Sequence, residues 1–454
     1  MSRQTGTRSL YGAAAPAAQQ RAALTSGALP VAVYGLGKMG LPLAAVYADL
    51  TGNVLGVDLD EAVVDRVNDG DSPVENEPGL DDAVGDAVAE GRLAATTDGV
   101  AAAERAAIHV IIVPTTVRED GHSDLSNLRA AVRDVGDGLS PGDLVVVEST
   151  VPPGTCEGLV RPLVSAESGL DPDEFGVAFC PERTASGRAL RDIRGAYPKV
   201  VGGVDAESTR AAELVYEELT DNEVLPVSDA TTAECVKVFE GIYRDVNIAL
   251  ANELARFTDE LGVDVREAID TANTQPFCDV HEPGPGVGGH CIPYYPQFLL
   301  SQFATDAPLI RTGREVNERM PLFTVQKLVQ ALERRDVDVD GASVLVFGVT
   351  YRSGVRETRE SPAIAVADYL DRYGADVAAV DPLVEDGDVD DLAATRVALE
   401  DVEGMDPDAA VMVTPHDAFA AVDWTAFDPM VVVDGRDALD LGETDHDVYT
   451  IGSG

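Results

Sequence analysis

Between residues 31 and 60 the chain reads VAVYG, then LPLAAVYADL, then VLGVDLD. A short apolar run bounded by glycine or acids reads as a buried strand. A longer run with apolar positions at helical spacing reads as a helix. The same alternation returns in AIHVIIVP, DLVVVEST and FGVAFCPE, each separated from the next by a helix-length segment. Strand and helix alternating in this way predict a parallel, doubly wound sheet over residues 29–228. From 231 to 262 the apolar positions of TTAECVKVFEGIYRDVNIALANELARFTDELG keep helical spacing for about thirty residues, longer than a typical globular helix. GASVLVFGVTY and ADVAAVDP then restart the strand–helix pattern. The expectation is an α/β chain in four parts: a mobile tail at 1–28, a doubly wound domain at 29–228, a helical middle domain at 229–321 and a second α/β domain at 322–454. The long central helix would join the two sheets. No internal sequence repeat is visible.

The first chemical motif is GLGKMG, with Gly35, Gly37 and Gly40 directly after VAVY and opening the next helix. In that strand–turn–helix setting the glycines let backbone approach a pyrophosphate at a helix N-terminus. Asp58 closes the next strand, where a carboxylate bonds ribose hydroxyls and repels a 2′-phosphate. Both Rossmann-like features point to NAD rather than NADP. Thr150 in ESTVPPGT and Glu182 with Arg183 in CPERTASGRAL fall beyond strand ends, where a doubly wound sheet presents its crevice. Lys237 is one of four lysines and lies among Val236, Val238 and Phe239. By itself it reads equally as a snorkelling surface group or a catalytic one. In GPGVGGHCIPYYP, Cys291 sits inside glycines and prolines that strip side chains from its approach and stiffen its flanks. The residues alone leave open whether this thiol is reactive or an inert member of a tight turn.

Taken in order, GLGKMGLP, VPTTV with SDLS, ESTVPPG, CPER with GRAL, AECVK with YRDVNIALANE, GPGVGGHCIP and GVTYRSGVRETRESPA resemble the UDP-sugar 6-dehydrogenases of the UDP-glucose/GDP-mannose dehydrogenase family. The resemblance runs from about residue 30 to about 385; the last seventy residues fit by domain pattern. His290 before the cysteine, with CPER and RDVN, is similar to the branch acting on UDP-N-acetyl-D-mannosamine or UDP-N-acetylglucosamine. The UDP-glucose branch carries Ser there. The resemblance implies NAD on the first α/β domain, UDP on the second, and two successive oxidations of the sugar C6 hydroxyl to a carboxylate. A thiolate traps the intermediate aldehyde, is oxidised to a thioester and is released by water. Cys291 is implied as that nucleophile, Lys237 as its proton-transfer or oxyanion partner, and Thr150 and Glu182 as the groups ordering water.

Carried over residue by residue, the cofactor contacts are Gly35, Gly37, Lys38, Met39, Gly40, Asp58, Thr115, Thr150 and Arg359. The substrate contacts are Arg183, Thr184, Lys237, Arg244, Gly288, Tyr351 and Arg352, the last replacing the usual Lys. A homodimer or higher homo-oligomer is implied as well. Four positions depart from the family: Gly241 replaces an Asn, Tyr295 an Asp, and Gln275 and Phe277 a His and an Arg. Three readings follow: a four-electron UDP-N-acetylhexosamine 6-dehydrogenase with UDP-ManNAc favoured (or its UDP-glucose counterpart), a two-electron β-hydroxyacid-type dehydrogenase, and a catalytically weak nucleotide-sugar-binding homologue.

Composition changes the picture in one respect. The 454 residues carry 80 acids against 33 bases, a formal net charge of −47. That balance excludes nucleic acid and anionic membrane as partners, since both need basic patches. Five scattered cysteines without C-x-x-C point to a reducing compartment, expected to be cytoplasmic, and form no metal-ligand spacing with the six histidines. No run of about 18 apolar residues is present. Acid this dense repels itself unless salt screens it, which implies a protein suited to high ionic strength. Thermal melts from 0.1 M to molar KCl are expected to show a rising midpoint; full stability and activity at low salt would contradict this.

Overall fold

The computed structural model describes residues 9–118, 120–184, 187–388 and 392–454. The chain divides into two compact units. One takes the chain up to Phe239 with Gln297–Phe303, the other Glu240–Pro296 with Ala304–Gly454. Among the described residues no helix is long and apolar enough to cross a membrane.

In the first unit, strands β1 (Val31–Tyr34), β2 (Val54–Val57), β3 (Leu93–Thr96), β4 (Ile108–Ile111), β5 (Leu144–Val147), β6 (Gly176–Phe179), β7 (Lys199–Gly203) and β8 (Val224–Pro226) form one sheet. Their order is β8-β7-β6-β5-β4-β1-β2-β3. Val31 and Val33 face one core while Ala32 and Tyr34 face the other, so the unbroken VAVY reflects a strand buried on both sides. The sheet is parallel except between β6 and β7, which run antiparallel with Phe179 opposite Gly202. The connection after β6 folds back at the carboxyl edge of the sheet instead of crossing over it.

Residues 9–28 are not a tail. Helix α1 (Ala17–Thr25) lies within them, and Leu10, Leu24 and Leu29 are fully buried in the core that holds β1. Arg210 ties the segment down by donating to the Leu10 carbonyl at 2.9 Å and to the Gln20 side-chain oxygen at 3.1 Å. Three leucines spread over twenty residues are too sparse to register as a period, which is why composition dominated the expectation. Residues 1–8 lie outside the described residues.

In the second unit, β9 (Ser343–Phe347), β10 (Asp376–Val380), β11 (Thr395–Val397), β12 (Ala409–Met412), β13 (Val431–Asp434) and β14 (Asp447–Thr450) run parallel in the order β11-β10-β9-β12-β13-β14. The segment expected as a helical domain at 229–321 is shared between the two compact units. The division falls inside the helix Ala230–Ala255, and the helix Pro308–Arg334 buries Val325, Leu328 and Leu332 in the core of the second sheet. What holds the middle segment is polar. Asp245, fully buried, receives Arg314 Nη1 at 2.7 Å and Asn317 Nδ2 at 2.8 Å. Asn252 donates to Asn317 at 2.9 Å and accepts the Gly284 amide at 2.8 Å, so RDVNIALANE pins the start of the glycine loop. A buried charge of this kind persists only when paired and hydrogen-bonded.

Candidate active site

The two units each carry part of the chemistry. In the first, the turn after β1 assigns a different task to each glycine. Gly35 has φ +98°, and a Cβ there would lie 2.7 Å from the Ile112 carbonyl oxygen. A Cβ at Gly40 would lie 1.8 Å from the Gly35 carbonyl oxygen, so this glycine allows helix α2 (Gly40–Thr51) to press onto its strand. Around Gly37 nothing lies within 4 Å of a Cβ: this is the open side, where a diphosphate can approach backbone. No side chain caps α2 and no acid lies in its first turn, which suits an anion at its positive end. Lys38 and Met39 complete the turn. Asp58 braces it from the end of β2, accepting the Leu36 amide at 2.8 Å through Oδ2 and the Asp60 amide at 3.1 Å through Oδ1. A carboxylate has about four lone-pair sites, so these two bonds leave acceptor capacity for ribose hydroxyls. The residues therefore fit NAD. Beyond β4, Thr115 donates to the Thr150 carbonyl at 2.6 Å and so ties two strand ends together.

Along the same edge, Lys237 Nζ donates to the Glu182 carbonyl and stands 3.6 Å from its carboxylate. The other carboxylate oxygen accepts the Thr184 amide, and Thr184 Oγ1 donates to Met39 Sδ at 3.1 Å, joining this loop to the glycine turn. Arg183 donates to the Pro198 carbonyl at 3.0 Å. How the helix bearing Lys237 is anchored is not legible in the sequence. Glu234, fully buried one turn earlier, accepts the Gly154 amide at 2.5 Å and the Cys156 amide at 2.8 Å, which clamps the loop after Thr150 onto the helix. Also missed was a polar cluster beneath the edge. Lys199, buried at the start of β7, lies within electrostatic reach of Glu148, Cys180 and Glu182. Burial alone would push Lys199 down, but Glu148, then Cys180 and Glu182, hold it above the usual lysine value. Tyr216 donates to Glu148 at 2.5 Å. The acid that closes the apolar run LVVV was the available signal.

In the second unit, the glycine loop is emptied of side chains for the chain's own sake. A Cβ at Gly288 would lie 2.8 Å from the Glu360 carbonyl oxygen, and one at Gly289 (φ +80°) 2.8 Å from the Tyr351 ring. The Gly289 amide donates to the Arg359 carbonyl at 3.2 Å. The loop is thus packed against the Tyr351–Pro362 segment, and Cys291 emerges exposed just past it. Arg359 stands 3.9 Å from Glu357; Arg352 and Arg244 are exposed. Two of the departures prove to be one event. A Cβ at Gly241 would sit 1.6 Å from Tyr295 Cδ2, so the ring occupies the volume that a side chain at 241 would take. Gln275 accepts the Phe277 amide at 2.6 Å, and Phe277 is 92% exposed.

A glycine turn on a capless helix, an acid at the end of the second strand and a Lys–Glu pair along the same edge define a dinucleotide-dependent dehydrogenase. Models of the UDP-glucose/GDP-mannose dehydrogenase family match throughout: the NAD binding domain over residues 29–220, the central domain over 231–319 and the UDP binding domain over 345–441. The UDP-N-acetyl-D-mannosamine dehydrogenase of Pyrococcus horikoshii is 37% identical over 415 residues, 90% of this chain and 96% of that protein. The NDP-N-acetyl-D-galactosaminuronic acid dehydrogenase of Ralstonia nicotianae is 36% identical over 421 residues, 89% of this chain and 95% of that protein. Among solved structures, the UDP-D-ManNAc dehydrogenase of P. horikoshii aligns with a TM-score of 0.86 at 35% identity, covering 93% of this chain and 99% of that one. The chain belongs to the UDP-glucose/GDP-mannose dehydrogenase family and is an NAD-dependent UDP-sugar dehydrogenase.

Two of these glycines predict separable effects. Gly37→Asp is expected to weaken NAD binding at least about tenfold in a fluorescence titration while leaving the apo melting curve unchanged, because its side chain meets only open space and an anion. Gly40→Ala is expected to cost roughly 1–3 kcal/mol of stability through overpacking. A Gly40→Ala chain melting like the wild type would contradict that division.

Proposed function

We propose that the protein oxidises the C6 hydroxyl of a UDP-N-acetylhexosamine, UDP-ManNAc before UDP-GlcNAc, through both steps to the uronate. One observation carries the reading: Cys291 is exposed at the end of its packed loop, whereas Cys156 and Cys180 are buried and Cys235 and Cys278 are half-buried. The identity with relatives named for UDP-N-acetyl-D-mannosamine supports the choice of sugar. Bound NAD would accept a hydride in each oxidation, two per sugar. The Cys291 thiolate adds to the aldehyde carbon and forms a C–S bond; the adduct loses two electrons to become a thioester. Water then breaks that bond, releasing carboxylate and thiol. Lys237 supplies a cation or proton to the sugar oxygen, and Glu182 and Thr150 orient the water. Arg183, Thr184, Arg244, Gly288, Tyr351 and Arg352 would hold the UDP-sugar, with Arg359 at the cofactor.

Gly241 and Tyr295 favour one second reading, a weak enzyme that chiefly binds nucleotide sugar, because the ring excludes the amide that relatives carry at 241. NADH stoichiometry separates the possibilities. Two NADH per UDP-ManNAc, abolished by Cys291→Ala, is the expected result. One NADH that is insensitive to this change would indicate a two-electron dehydrogenase, and no turnover across UDP-sugars in molar salt the binding homologue. Preference for UDP-glucose would overturn the sugar assignment.

Tyr243, Leu250, Leu254, Phe257 and Leu261 recur at intervals of seven, four, three and four residues and are 36–64% exposed. An apolar stripe of that kind in so acidic a protein fits a homodimer contact. Leu254→Glu with Phe257→Glu is expected to halve the mass measured by light scattering; an unchanged mass would place the contact elsewhere.

A further inference from the structure

Neighbouring side chains usually diverge, so His290 need not act on the thiol beside it. Here the backbone decides otherwise. Gly289 takes a left-handed φ of +80° and donates to the Arg359 carbonyl, which fixes the direction in which residue 290 leaves the loop. The His290 ring enters a half-buried site with Nδ1 3.5 Å from Glu357 Oε1, an ion-pair separation longer than a hydrogen bond. Its second polar neighbour is the side chain of Cys291. Glu357 cannot swing freely, because its carbonyl accepts the Tyr351 amide at 3.0 Å and its amide donates to Val355 at 2.9 Å. Its side chain is 18% exposed.

The other charged or titratable groups facing this cluster are Arg359, 3.9 Å from Glu357, and Tyr351, Tyr294, Arg352 and Glu360. The nearness of Cys291 and then of Glu357 outweighs burial and lifts His290 to about 10. A group with a folded pKa that high stays protonated through neutral pH and loses its charge only as pH rises through about 10. It is therefore not a neutral base waiting to take the thiol proton. It is a standing cation beside the sulfur.

We propose that Glu357, His290 and Cys291 form a carboxylate–imidazolium–thiolate triad in which Glu357 holds the imidazolium and the imidazolium keeps Cys291 ionised. His290 and Glu357 are positioning residues. The proposal deepens the reading of Cys291 as nucleophile and rests on it for its catalytic consequence, though not for its test. The consequence is twofold. A thiolate stabilised by a fixed cation is available to attack at neutral pH, and the same stabilisation makes sulfur the better leaving group when water opens the thioester.

The test is the pH dependence of iodoacetamide alkylation at residue 291 in the full chain, without substrate or NAD, read by mass spectrometry of the peptide that carries it. Wild type is expected to reach half its maximal rate clearly below the reference thiol value of about 8.5. His290→Ala and His290→Gln should move that midpoint up by about one unit or more, roughly a tenfold slower reaction at pH 7. Glu357→Gln should move it part of the way, with the melting temperatures of the variants confirming that each is folded. A wild-type midpoint at or above the reference, or one that neither His290 variant moves, overturns the triad. If the midpoint shifts as expected but Cys291→Ala still forms two NADH, the triad stands and the nucleophile assignment falls. If uronate formation requires Cys291 but the alkylation profile is unmoved, the nucleophile stands and the triad falls.

Discussion

Residues 286–289 run so close to the Tyr351–Pro362 segment that a methyl group has no room at Gly288 or Gly289. In the second unit most of the rest follows from that approach. It sets the Gly289 amide on the Arg359 carbonyl, turns His290 toward Glu357 and leaves Cys291 exposed where the loop ends. Hydrogen bonds hold the approach from behind: Asn252 receives the Gly284 amide, and Arg436 donates to the Gly286 carbonyl at 3.1 Å. Hydrogen bonds have direction where apolar contacts do not, so a loop that must present one atom in one direction gains more from the former.

The two sheets share a turn that the sequence does not display as a repeat. After β1, Asp58 Oδ2 accepts the Leu36 amide at 2.8 Å; after β9, Asp381 Oδ2 accepts the Val349 amide at 2.8 Å. The resemblance stops at the carboxylate. Asp58 is half-buried and keeps acceptor capacity toward solvent. Asp381 is buried, takes two further bonds from Thr350, and has His416 Nε2 at 3.2 Å. One strand-end acid remains open to a ribose, while its counterpart is consumed in holding the second unit together.

The paired departures at 241 and 295 show how a local reading can mislead. Each looks like the loss of a polar group, yet the Tyr295 ring fills the place vacated at Gly241. The change is a packing exchange across a helix and a loop, and no inspection of either position alone would reveal it.

The order of strands and helices, the glycine turn, Asp58 and the long helix bearing Lys237 were legible in the sequence because each is a local property: a period, a turn residue, a strand end. The burial of residues 9–28 was not, since Leu10, Leu24 and Leu29 are spaced too widely to form a pattern. Nor was the antiparallel return after β6, which depends on which way a loop folds back and which brings Lys199 within electrostatic reach of Glu182. Chain chemistry by itself determined which side chains could react. Whether His290 meets a carboxylate, whether Asp245 has a guanidinium to receive it and whether Gly241 is a vacancy were decided by contacts between residues tens of positions apart, which only the folded backbone brings within a few ångströms.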